Sequence, residues 1–138
     1  MKALHICVMV TEEKYSISDI SEAKNFDLID KQITKSVFNL DDENFAKTIV
    51  EQFIEKSERT ITEMDASVKR KKTSETYQLA HDLCGSCLYI GTERMAVISS
   101  FIYYNAKKRN IPPLKGSIDQ LRECFEESKK VRFSPNRS

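Results

Sequence analysis

His81, Cys84 and Cys87 recur at three-residue intervals in the stretch Q-L-A-H-D-L-C-G-S-C-L-Y-I-G, residues 78–91. An imidazole and two thiols in that order could serve nucleophilic, metal-binding or redox chemistry. Helical geometry weighs against the last two. On one straight helix His81 and Cys84 share a face while position 87 lies well round from it, so the three cannot converge on one Zn²⁺. Cys84 and Cys87 could pair as ligands or as a redox couple, but such couples usually occupy a helix N-terminus, where the thiolate is stabilised. No metal set and no cofactor is therefore assigned, and the histidine is the candidate nucleophile. Gly85 follows it by four residues. An interior glycine costs a helix about 1 kcal/mol relative to alanine, which suggests that a partner surface or a neighbouring backbone approaches His81 closely.

The elements that must position this segment are helices. Phe26, Ile29, Ile33, Val37 and Phe38 recur at helical spacing and predict a helix over 26–39. Asp41, Asp42 and Glu43 then supply a cap and an acidic first turn for a long helix ending near Arg70, with Phe45, Ile49, Val50, Phe53, Ile54, Ile61, Met64 and Val68 as its apolar stripe. Thr73 and Ser74 can cap the histidine helix, which stops near Gly91. A helix over 92–108 carries Met95, Val97, Ile98, Phe101, Ile102 and Tyr104, and Ile111-Pro112-Pro113 separates it from a last helix over 116–131. In the histidine helix Leu79, Leu83, Cys87 and Ile90 are assigned to the core, leaving His81, Cys84, Gly85 and Leu88 on an exposed line.

Short connections between such helices predict an all-α, antiparallel four-helix bundle with an additional N-terminal helix or extension. We divide the chain into an extension over 1–25, the bundle over 26–133 and a disordered tail over 134–138. The 138 residues carry 22 basic and 21 acidic side chains, so global charge gives no argument for a nucleic-acid or membrane partner. The apolar run 3–10 is too short to span a bilayer and lacks an evident cleavage site. Free thiols in a reducing compartment are the expected state of Cys7, Cys84, Cys87 and Cys124. His5 has no visible partner. Lys69-Arg70-Lys71-Lys72 reads as a nuclear-localisation or anion-binding patch, or as a solvated helix end.

At the histidine the chain resembles the histidine-containing phosphotransfer (HPt) proteins, in particular fungal phosphorelay intermediates. Their pattern A-H-x-L-K-G-S-S, followed by a glycine, is met by Ala80, His81, Leu83, Gly85, Ser86 and Gly91. The segment D-D-E-N-F-A-K-T-I-V-E-Q-F-I-E-K-S-E-R, residues 41–59, is similar to the helix preceding the histidine in that family. The resemblance, which covers about residues 26–130, implies that His81 accepts a phosphoryl group from a receiver-domain aspartate and passes it to another response regulator. It also implies that the receiver brings the Mg²⁺, that this chain holds no metal, and that it acts as a monomeric carrier in the cytoplasm, with the nucleus as an alternative.

Cys84 stands where the family has a lysine, and Cys87 where it has a second serine. Loss of that lysine should weaken stabilisation of the phosphoryl group, and restoring it should speed transfer. Tyr103, in place of a polar amide, could compensate through its hydroxyl. Cys84, Gly85 and Tyr103 are thus the expected phosphoryl environment. Phe38, Phe45, Ile49, Asp82, Gly85 and Leu88 are the expected receiver-docking residues. A module that docks receivers without efficient transfer is the alternative reading.

Overall fold

The computed structural model describes residues 17–30 and 43–131. Four long helices account for most of them: α1 (Glu43–Lys69), α2 (Thr73–Ile90), α3 (Glu93–Lys107) and α4 (Leu114–Val131). They are preceded by a six-residue 3-10 helix, Ile20–Asn25. There is no strand among the described residues.

Each long helix packs on two others, α1 on α2 and α4, and α3 on α2 and α4, so the four close a ring around one core. Cross-helix contacts give the direction. Lys56 meets Ser86 and Ser67 meets Thr76 between α1 and α2. Cys84 meets Ala96 and Tyr77 meets Tyr103 between α2 and α3. Positions rise on one helix as they fall on the next, so both pairs are antiparallel. The core is apolar and helically spaced: Ile61, Met64, Leu83, Met95, Ile102, Leu114, Ile118, Leu121 and Phe125 have at most 1% of their surface exposed. Burying a side chain of that size stabilises a fold by roughly 1.5–3 kcal/mol.

The turn from α2 to α3 is set by Gly91, the predicted stop. Its backbone is left-handed at φ 99°, a conformation that suits glycine. The amides of Gly91 and Thr92 both donate to the Cys87 carbonyl, at 2.8 and 2.9 Å.

Three local expectations are corrected. The helix predicted from Phe26 does not start there: Phe26 is extended (φ −101°, ψ 148°), and the Phe26 and Asp27 carbonyls and the Asp30 amide bond to the α2–α3 turn and the start of α3. Arg94 explains this, donating its amide to the Asp27 carbonyl at 2.9 Å and its Nε to the Phe26 carbonyl at 2.9 Å. Thr73 and Ser74 do not cap α2. They lie inside its first turn, the cap position is Lys72, and no side chain caps the amides there. The last helix begins at Leu114, directly after Pro113, whose carbonyl accepts from the Ser117 amide and hydroxyl. Proline's fixed φ suits a helix entrance. Residues 17–25, read as extension, pack on α3 with Ala23 buried. The remainder of the 26–39 helix with Phe38, the caps Asp41 and Asp42, residues 1–16 with His5 and Cys7, and the tail over 134–138 lie outside the described residues.

Burial pushes the Cys124 thiol up to about 11 from its ordinary value of 9.0. A thiol whose pKa is raised on folding stabilises the fold fully below the unfolded value, and that contribution is lost as pH rises toward the folded one. Stability measured by urea denaturation is therefore expected to fall between about pH 9 and 11 more steeply in the native chain than in Cys124→Ala, and equal slopes would refute the assignment.

Candidate functional site

The histidine sits in the middle of α2, and its surroundings follow from how that helix is clamped. Thr76, Ala80, Leu83, Cys84, Cys87 and Ile90 are buried, a wide stripe facing α1 and α3. His81, Gly85 and Ser86 are half-buried and Asp82 and Tyr89 exposed, so these residues form the open sector. His81 lies on the α3 side of that sector. Its ring is tilted 32° to that of Tyr103 with the centroids 4.9 Å apart, and Tyr103 is only 8% exposed. Tyr103 is held in turn by edge-on contacts with Tyr77 at 5.8 Å and Tyr104 at 5.0 Å. The imidazole thus rests on a braced aromatic shelf while part of it stays open to solvent.

Positive charge reaches the shelf from α3. Lys107 Nζ lies 5.5 Å from the centre of the Tyr103 ring and donates to its hydroxyl at 3.4 Å. On the other side of the open sector, Lys56 of α1 donates to Ser86 Oγ at 3.2 Å, and Ser86 donates to the Asp82 carbonyl at 3.3 Å. Lys56, Asp82, Gly85 and Ser86 line a groove of about 380 Å³ between α1 and α2, whose apolar wall includes Ile49, Phe53 and Tyr89. Tyr89, 64% exposed, and Phe45, 56% exposed on α1, are the exposed large hydrophobic side chains among the described residues.

Of the expected phosphoryl environment, Tyr103 is against His81 and Gly85 lines the adjoining groove. Cys84 is not on the open line. It is 1% exposed, and its Sγ donates to the Ala96 carbonyl at 3.5 Å. At 3.6 residues per turn, position 84 lies about 60° round from 81, and the turn is toward α3, which covers it. Of the expected docking residues, Ile49, Asp82 and Gly85 share the groove and Phe45 is exposed. Leu88 packs half-buried against the core, and Phe38 lies outside the described residues.

Sequence reasoning missed Lys56, Lys107, Tyr77 and Tyr89. Lys107 was within reach of it, since i and i+4 share a helix face and Tyr103 had been singled out. Lys56 was not, because only the α1–α2 register brings it to a serine 30 positions away. Among the described residues no three His, Cys, Asp or Glu side chains gather closely enough to hold a metal ion. No described helix is long and apolar enough to cross a membrane.

No protein-family model, curated protein or solved structure matches the chain.

Burial at position 84 gives a restored lysine a cost in stability. Cys84→Lys is expected to place an ammonium against the α2–α3 interface and to destabilise the fold by at least about 2 kcal/mol, read as a lower urea midpoint. A variant as stable as the native chain would show that position 84 reaches solvent.

Proposed function

We propose that the protein is a histidine phosphotransfer carrier of a multistep phosphorelay, with His81 as the phosphoacceptor. The observation that carries this reading is the imidazole held on the Tyr103 ring, partly open to solvent, on a rigid helix beside a groove that combines apolar walls with Gly85 and Lys56. A neutral imidazole nitrogen is nucleophilic near physiological pH. Its lone pair forms the N–P bond as the P–O bond of an aspartyl phosphate breaks. The carboxylate leaves with the electron pair, and the ring proton passes to solvent. The reverse sequence delivers the phosphoryl group to a second receiver. Mg²⁺ in the receiver would supply the charge that steadies the transferring group.

This chain's own part is to orient the ring and to present a surface. Tyr103 limits rotation of the imidazole, and an oriented nucleophile removes part of the entropy of reaction. Lys107 and Lys56 bring ammonium groups to either side of the open sector, a role the family gives to a lysine on the histidine helix. Phe45, Ile49 and Tyr89 supply apolar area for docking next to Gly85. The HPt resemblance, the cytoplasmic or nuclear setting and the receiver partners belong to the same proposal. Burial of Cys84 favours one second reading. With no cation on α2 beside the histidine, the chain could dock receivers and transfer poorly.

Incubation with a phosphorylated receiver domain and Mg²⁺ separates the two. Acid-labile label on the native chain and none on His81→Gln is the expected result, whereas receiver binding with no label on either would favour docking alone. Phe45→Ala/Ile49→Ala is expected to weaken receiver binding by about 1–3 kcal/mol, measured by calorimetry, with α-helical content unchanged by circular dichroism. Unaltered affinity would place the docking surface elsewhere.

A further inference from the structure

Two basic tracts far apart in the sequence meet at one end of the bundle. Lys69-Arg70-Lys71-Lys72 ends α1 and turns into α2, and Lys107-Lys108-Arg109 ends α3. Because α2 and α3 run antiparallel, the start of one lies beside the end of the other. Lys71, Lys72, Lys107 and Arg109 line a single cleft of about 850 Å³ together with Thr73, Ser74 and Tyr77. This is large for one phosphate and within the range of small-ligand sites. Glu75 also lines it, but its carboxylate is held 3.5 Å from the Arg70 guanidinium. In a chain of formal net charge +1 this is a local concentration of positive charge.

We infer that this cleft binds a compact polyanion carrying two or more phosphate groups. Four cations from two tracts face one space, Arg109 offers a planar fork, and the lysines act as point charges. The Thr73 and Ser74 hydroxyls add neutral donors. The volume and the number of cations exceed what a single phosphate monoanion uses, and an extended acidic peptide would reach beyond the walls. Lys107 belongs to both the cleft and the shelf, so a bound anion competes with the Tyr103 hydroxyl for its ammonium. The inference does not rest on phosphoryl transfer at His81, since it names a different ligand and the start of α2 instead of its middle, with Lys107 the residue the two places share.

Titration of tripolyphosphate into the full-length chain, followed by calorimetry and amide NMR shifts, tests it. The expected result is saturable 1:1 binding, with shifts centred on residues 71–77 and 106–111. Lys71→Gln/Arg109→Gln should lose at least tenfold in affinity, while Lys24→Gln/Lys130→Gln, which removes the same charge elsewhere, should bind as the native chain does. Lys72→Gln alone should show a smaller loss in the same direction and covers the case in which the double variant does not fold. Absence of saturation, equal losses in both double variants, shifts centred elsewhere, or a poly-glutamate peptide binding as tightly as tripolyphosphate would overturn the assignment.

Discussion

The antiparallel pairing of α2 and α3 is the constraint on which the site depends, and it is fixed at Gly91. With its left-handed backbone there, the chain reverses in two residues, and both amides of the turn end on the Cys87 carbonyl. The same turn accepts the Asp30 amide on the Gly91 carbonyl at 2.6 Å, so the N-terminal segment is latched onto it. Given that start, the register along the pair is decided, and twelve residues beyond the turn Tyr103 arrives against His81. The position of the imidazole is therefore a consequence of backbone geometry ten residues away from it.

Small side chains make the pairing close. Ala80, Cys84 and Cys87 on α2 and Ala96, Ser99 and Ser100 on α3 are all buried, and Cys84 Sγ reaches across to the Ala96 carbonyl. Short side chains let two helices approach, and the gain in dispersion contacts and buried area replaces what larger residues would give. The consequence for function is direct. A cysteine at position 84 is a packing residue, and the positive charges around the open sector come from the flanking helices α1 and α3 instead of from α2.

Much of this was legible in the sequence. The apolar period of α1 from Val50 onward, the stop at Gly91 and the break at Pro112-Pro113 each have a local physical cause, and the structure bears out all three, while Phe45 at the start of that stripe is exposed. Apart from the exact helix starts at Thr73 and Leu114, what failed has a common origin in contacts between elements. Arg94 holds the Phe26 and Asp27 carbonyls away from the helical course that their spacing suggests. Cys84 lies at the edge of the apolar stripe, where a few tens of degrees decide between solvent and core, and only the approach of α3 settles it. Leu88 was read as exposed from its place near His81 and instead leans half-buried on the core. For the candidate site, the histidine, the glycine and Tyr103 were identifiable one by one, whereas Lys56 and the convergence of the two basic tracts exist only in the folded register.

Reaction with phosphoramidate, a small donor that phosphorylates imidazoles without a protein partner, tests most directly whether the braced histidine is the reactive group. Phosphorus and nitrogen-15 NMR of the treated chain should show one P–N linkage, on the ring of His81, formed more slowly when Tyr103 is replaced by leucine. Phosphorylation confined to His5, or the same rate with and without the Tyr103 ring, would contradict the account.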